Sequence, residues 1–226
     1  SMFLWAFEFN QPLNWDTSSV TNMNQMFSQA FAFHQDLSWN TDNVTNMSNM
    51  FQGATIFNGD IGNWNTANVT DMTAMFWALT PQTVFNQDIS GWNTANVQYM
   101  TSMFQGAANF NQDISGWNTA NVTDMGSMFL DASAFNQPLN WNTANVQNMD
   151  SMFSGASAFN QDLSGWNTAN VTDMNNMFQN ASAFNQDLSG WCVENILKPP
   201  QDFSAGTQMT HAHMPNWDAS CICTDA

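Results

Sequence analysis

The sequence predicts an α/β repeat solenoid, with one short strand and one short helix in each turn of 24–25 residues. Three observations predict it. A long motif returns at fixed spacing, apolar residues in one half of each unit fall at helical offsets, and the other half is short and rich in turn formers.

The motif is clearest from Phe159 to Ala181, FNQDLSGWNTANVTDMNNMFQNA. Its first residue returns at Phe9, Phe33, Phe57, Phe85, Phe110, Phe135, Phe159 and Phe184, and its Trp at Trp15, Trp39, Trp64, Trp92, Trp117, Trp141, Trp166 and Trp191. The spacing is 24 or 25 throughout, with a single step of 28. In the second half of this unit the apolar residues are Val171, Met174, Met177, Phe178 and Ala181, one face of a short helix. Asp173 would sit in its first turn, near the positive end of the helix dipole. In the first half, Phe159 to Trp166, Leu163 and Trp166 flank Ser-Gly, as in a short strand entering a bend. One strand-like and one helical segment per turn is the leucine-rich-repeat pattern.

A single unit cannot bury its own apolar face, so identical columns must pack on one another through the stack. The Met-Phe pairs (Met26-Phe27 through Met177-Phe178) and the Trp column are therefore expected in the core. Recurrent Asn at FN, WN and AN is expected to bond the backbone of the neighbouring turn. Four N-V-T sequons, at Asn43, Asn68, Asn121 and Asn170, read as by-products of that ladder.

The regular repeat is expected over residues 1–191, eight turns beginning within a unit. Residues 192–226 form a degenerate capping segment, in which Ile196 takes the Val position and Phe203 the phenylalanine of Met-Phe. Pro199-Pro200 oppose a helix there. All three cysteines, Cys192, Cys221 and Cys223, lie in this cap, where a bridge from Cys192 to one of the others implies an oxidising compartment. A zinc site from His211, His213, Cys221 and Cys223 is disfavoured by its spacing.

Composition narrows the function. Eighteen acidic residues against one Lys or Arg give a net charge of −17. Such a field repels phosphate backbones and anionic lipid, and favours cations or basic partners. No apolar run is long enough for a membrane-spanning helix. No nucleophile, base and acid stand at recognisable spacing, and no phosphate-binding glycine loop occurs, so no enzyme is expected in this segment.

Three features are candidates for binding. The column Asp36, Asp60, Asp88 and Asp113, continued by Asp162 and Asp187 and broken by Pro12 and Pro138, suits turn capping or Ca²⁺. The unbroken column containing Thr94, Thr119 and Thr143 suits starting the turn or bonding the next turn's backbone, and, if exposed and flat, would suit ice or a mineral surface. The three-residue insertion after Met75-Phe76 reads either as local accommodation of a Pro-bearing turn or as a binding loop on which Trp77 would be an exposed aromatic.

The unit FNQDISGWNTANVTDM, followed by Met-Phe and a small-residue turn, resembles the BspA-like leucine-rich-repeat surface proteins over residues 2 to 191. That resemblance implies a right-handed solenoid and an extracellular or cell-surface place. It also implies a monomeric, non-catalytic scaffold for adhesion, with a protein or glycan ligand. A structural spacer or coat repeat is the alternative. The resemblance carries no catalytic residue and no cofactor, leaving Ca²⁺ at the Asp column as the sole candidate ion.

Overall fold

The computed structural model describes residues 2–78 and 83–217. Each unit forms one coil, and the coils stack through hydrogen bonds between residues 23 to 31 positions apart. The expected strand and helix per turn are absent among the described residues, which overturns the α/β leucine-rich-repeat architecture. Among the described residues the one helical element is a single 3₁₀ turn, His211–His213. The β pairing there is a row of isolated parallel bridges that links Asn22, Asn46, Asp71, Tyr99, Asp124, Asn148 and Asp173 in succession.

The segment expected to be helical is a run of overlapping β-turns. In the coil of Met125 to Ala132, N–H groups donate three residues back: Met128 to Met125, Leu130 to Ser127 and Ala132 to Phe129, at 3.0–3.2 Å. The intervening N–H groups reach the next coil instead: Ser127 to Asp150, Phe129 to Met152 and Asp131 to Ser154, at 2.7–2.8 Å. Alternate donors thus serve the turn and the stack, so the backbone is paired without a helix or a continuous strand. The turns require left-handed backbone every fourth residue, at Ser127 (φ 56°) and Asp131 (φ 58°). Equivalent pairs are Gln25/Gln29, Asn49/Gly53, Ser102/Gly106, Ser151/Gly155 and Asn176/Asn180. These residues are small or polar and none is β-branched, as a positive φ favours. An α-helix cannot hold such residues at every fourth position.

The other half of the coil is not a strand either. Trp117 N–H donates to Ile114 O at 3.1 Å, closing a turn over Ser115-Gly116. Side chains take over the coil-to-coil contacts here. Asn111 Oδ1 accepts from the Asn136 N–H (2.9 Å), whose own Oδ1 accepts from the Asn160 N–H (2.9 Å), and so on along the stack. Gln112, Gln137 and Gln161 donate Nε2 to the Asn carbonyl of the coil before, at 2.9–3.1 Å. Trp117 Nε1 donates to Ile89 O (3.2 Å) and Trp141 Nε1 to Ile114 O (3.1 Å), a bond repeated along the Trp column. The expected Asn ladder is present, and it runs largely on the surface.

Three aromatic columns fill the interior. The Phe of Met-Phe and the Phe of FNQ stack within a coil, Phe104 on Phe110 with centroids 4.0 Å apart. Each then stacks on its counterpart in the next coil, Phe104–Phe129 at 5.6 Å and Phe110–Phe135 at 6.0 Å. The Trp rings stack at 6.1–6.5 Å, from Trp15–Trp39 to Trp117–Trp141. Phe110, Phe104, Met103, Val97 and Ile114 are fully buried, so the Met-Phe and Trp columns are core. Burying one such side chain contributes about 1.5–3 kcal/mol, and each stacked pair about 0.5–1.5 kcal/mol more.

The last described coil departs from the register. Asn195 Nδ2 still donates to Ala169 O at 2.7 Å, in line with its predecessors. Beyond Pro199-Pro200, Asn176 N–H donates to Gln201 O and Phe178 N–H to Phe203 O, both 2.8 Å. The same donors elsewhere pair one residue earlier, as Phe153 N–H does with Met177 O. One extra residue therefore lies between Asn195 and Gln201, and Phe203 occupies the slot of Met177 rather than that of Phe178. Its ring accordingly meets Phe178 edge-on at 83° instead of stacking. Cys192 is disulfide-bonded; Cys221 and Cys223 lie outside the described residues.

Candidate binding surfaces

The Thr column is interior. Thr94, Thr119 and Thr143 are each 1% exposed. Their Oγ1 atoms donate to the carbonyls of Asn118 (3.0 Å), Asn142 (2.9 Å) and Asn167 (2.9 Å) in the next coil. The threonines are hydrogen-bonded struts between coils, and they present no surface to ice or mineral. Of the two readings of this column, the bond to the next coil's backbone is the one the structure shows, since a hydroxyl with one good partner can be buried without penalty.

The Asp column lies on the surface and caps turns. Asp88 Oδ1 accepts from the Ser90 N–H and Asp113 Oδ1 from the Ser115 N–H, both at 2.9 Å. Asp60 Oδ1 accepts from the Gly62 N–H at 3.0 Å, while Asp36 Oδ1 accepts across the stack from the Asp60 N–H at 2.8 Å. The backbone N–H and hydroxyl of the serine two residues on hold Asp88, Asp113 and Asp162 below the usual carboxylate range. The Ser189 hydroxyl and N–H do the same for Asp187. Repulsion from Asp88 pushes Asp113 only slightly the other way. Among the described residues no group of three or more His, Cys, Asp or Glu is placed to hold a metal ion.

A second Asx column sits in the bridge row and was not singled out in the sequence. Asp71 Oδ1 accepts from the Thr73 N–H, Asp124 Oδ1 from the Gly126 N–H and Asn148 Oδ1 from the Asp150 N–H, each at 2.9 Å. No two carboxylates are neighbours in this row, because Asn or Tyr separates them. Asn46 Nδ2 donates to Asp71 Oδ2 (3.2 Å) and Asn148 Nδ2 to Asp124 Oδ1 (3.1 Å). Tyr99, the one tyrosine, replaces the Asx residue in the middle of the row and is exposed.

The sequon asparagines are ladder members. Asn43, Asn68, Asn121 and Asn170 donate Nδ2 to carbonyls of the preceding coil at 2.7–2.8 Å. Asn96 and Asn145, which lack the sequon, do the same. A shallow polar groove runs over three coils here, lined by Asn68, Thr70, Asn96, Gln98, Asn121 and Thr123.

Trp77 is half-buried rather than set out on a loop. Its N–H donates to Ala74 O (3.2 Å) and its carbonyl accepts from the Gly53 N–H (2.6 Å), so it belongs to the regular run of turns. Residues 79–82, within the inserted stretch, lie outside the described residues.

One edge breaks the monotony of the stack. In the two positions before the FNQ phenylalanine, successive coils carry Phe7-Glu8, Phe31-Ala32, Thr55-Ile56 and Thr83-Val84, then Ala108-Asn109, Ser133-Ala134, Ser157-Ala158 and Ser182-Ala183. Phe7, Phe31, Ile56 and Val84, with neighbouring Trp5, are 41–62% exposed. Phe7 and Phe31 stack along the coil axis with centroids 5.0 Å apart, and Trp5 meets Phe7 edge-on at 5.9 Å. This apolar edge spans the first four coils and gives way to Ala, Asn and Ser in the rest. Periodicity hid it, because each of these residues reads singly as an irregularity in a repeat.

A stack of near-identical coils with its variable chemistry at one edge defines a repeat protein. The chain belongs to the repeat family described as "Mycoplasma protein of unknown function, DUF285", whose model matches residues 1–82, 79–140 and 139–217. No curated protein and no solved structure matches it.

Proposed function

We propose that this chain is a non-catalytic binding scaffold of a secreted or cell-surface protein, serving adhesion to a protein or glycan. The observation that carries the reading is the exposed edge of Trp5, Phe7, Phe31, Ile56 and Val84. Trp5, Phe7 and Phe31 are in contact with one another, and contiguous exposed apolar surface marks an interaction site, whereas scattered apolar residues do not. The resemblance to BspA-like surface repeats points the same way. The disulfide at Cys192 suits an oxidising compartment. No helix among the described residues is long and apolar enough to cross a membrane.

The test is binding of the immobilised chain to purified matrix proteins and to a glycan array. A second preparation carries Trp5→Ser and Phe31→Ser, with its melting temperature checked against the parent. Binding that the double variant loses at unchanged stability supports the reading. Binding that the variant retains removes the edge from it. An inert parent chain favours the alternative, a structural spacer, which the uniformity of the other exposed columns supports.

A further inference from the structure

The apolar edge has a geometry that narrows what fits it. Its residues recur coil after coil along the axis of the stack. The Phe7 and Phe31 rings lie 5.0 Å apart, and Phe7 O accepts from the Ala32 N–H at 3.0 Å. The equivalent bond in the next pair of coils runs from the Val84 N–H to Thr55 O at 3.1 Å, so Thr55 stands in the position of Phe7 while Ile56 and Val84 stand one residue further on. The edge therefore offers exposed apolar side chains in each of its first four coils, Trp5 and Phe7 in the first and one in each of the others, with a step of one residue between Phe31 and Ile56. Parallel-bridged backbones repeat at about 4.8 Å, and an α-helix repeats at about 5.4 Å per turn. A helix laid along the stack presents one apolar side chain per turn to one coil. The mismatch of about 0.6 Å per turn accumulates to only about 2 Å over four coils.

The charge on the page selects the helix. The chain carries a net charge of −17, and its one basic side chain, Lys198, lies in the last described coil, far along the stack from the stripe. Glu8, adjacent to Phe7, is exposed. Every contact made outside the apolar line meets an acidic or neutral surface. The field draws a cationic segment toward this face and repels an acidic one.

We propose that the stripe Trp5, Phe7, Phe31, Ile56 and Val84 docks a cationic amphipathic helix of a partner protein, its apolar residues spaced i, i+3/i+4, i+7. The docking is helix-in-groove recognition carried by a stripe on a turn-built stack. This proposal rests on the binding-scaffold reading and adds the partner's class to it. The polar half of the same edge, Ser133, Ser157 and Ser182, lacks the apolar line and provides an internal control.

The experiment uses the full chain and a labelled model peptide with Leu at positions i, i+3/i+4 and i+7 and Lys elsewhere. A Leu/Glu peptide of the same pattern is the comparison. Fluorescence anisotropy reads affinity, and circular dichroism of the peptide reads helix formation on binding. The expected result is micromolar binding of the Leu/Lys peptide with a gain of helicity, and no measurable binding of the Leu/Glu peptide. Phe7→Ser with Phe31→Ser weakens binding at least tenfold, while Ser133→Ala with Ser157→Ala leaves it unchanged. Equal binding to both Phe variants and parent overturns the proposal, since charge alone then holds the peptide. Equal binding of the Leu/Glu peptide overturns the charge selection. Self-association of the chain that Phe31→Ser abolishes and the peptide fails to compete with makes a second copy the occupant and also overturns it. Loss of matrix or glycan binding in the Trp5/Phe31 variant, with no peptide binding by the parent, refutes the helix while leaving the scaffold reading intact.

Discussion

Replacing Ser127 by Gly should raise the stability of the chain, and the sign of the effect separates the turn-built coil from a helix. Ser127 has φ 56° and sits at the third position of the turn Met125 to Met128. Holding an L-residue in the left-handed region costs about 1–2 kcal/mol, which Gly avoids. Gly loses about 0.5–1 kcal/mol of that gain through the greater freedom of its unfolded state. The net expectation is about 0.5–1 kcal/mol of stabilisation, or roughly 1–4 °C in melting temperature for a chain of this size. In a helix interior the same change costs about 0.5 kcal/mol, and Ser127→Ala gains a similar amount. Ser102 and Ser151 have φ 56° and 55° at equivalent positions, so the triple Gly variant enlarges the shift. Differential scanning calorimetry and urea unfolding of the Gly, Ala and Val variants decide it. The expected order of stability is Gly, Ser, Ala, then Val, because a β-branched residue tolerates positive φ worst. Ala above Ser and Gly below it would refute the turn assignment.

Thr119→Val keeps the shape of a buried side chain but removes the Oγ1 donor to Asn142 O. It should cost about 0.5–1.5 kcal/mol in urea unfolding, the net worth of one such hydrogen bond, whereas Thr119→Ser should cost less. Asp88, Asp113, Asp162 and Asp187 have folded pKa values lowered by Ser N–H and hydroxyl donors. A depressed folded pKa contributes stability above the unfolded value and loses it as pH falls through the folded one. The urea midpoint should therefore lose this contribution below about pH 4. Asp113→Asn, which keeps an acceptor for the Ser115 N–H and cannot titrate, should show a smaller acid loss than the parent. Because the Oδ1 atoms of this column already accept backbone N–H groups, Ca²⁺ should leave the melting temperature where EDTA puts it. A rise of several degrees with Ca²⁺ but not Mg²⁺ would restore the metal reading.

The period, the core and the cross-coil role of Asn were legible in the sequence, because stacking demands that identical residues recur in register. The secondary structure was not. Val171, Met174, Met177, Phe178 and Ala181 face inward in both a helix and a run of three-residue turn steps, and the apolar pattern is nearly the same for the two. What separates them is the residue between: Asn176 and Asn180 here, Ser151 and Gly155 one coil earlier, each held at positive φ. These residues are also common on helix surfaces, so their identity alone carried little weight. The Thr column carried two readings for a related reason. Invariance along a stack is equally the mark of a functional face and of a buried strut, and only the 2.9 Å bond from Thr119 to Asn142 O tells them apart. The apolar edge was missed because attention to what repeats discards what does not.

The composition and the architecture explain one another. A stack without strands has few backbone bonds between coils in its Phe159 to Trp166 half, so side chains must supply them. Charged pairs are unsuited to this: with a single Lys or Arg in the chain, carboxylates stacked in adjacent coils would have no counter-charge. Neutral amides and hydroxyls avoid the difficulty, since Asn and Gln carry both donor and acceptor and so can bond to a copy of themselves in the next coil. The carboxylates that remain are placed where a local N–H neutralises much of their field, as at Asp113, or are separated by Asn, as between Asp124 and Asp173. The interior is thereby held by neutral bonds and stacked rings that tolerate any ionic strength. The unbalanced negative charge is left on the outside, where it costs little stability and acts at a distance on whatever approaches the edge of Phe7 and Phe31.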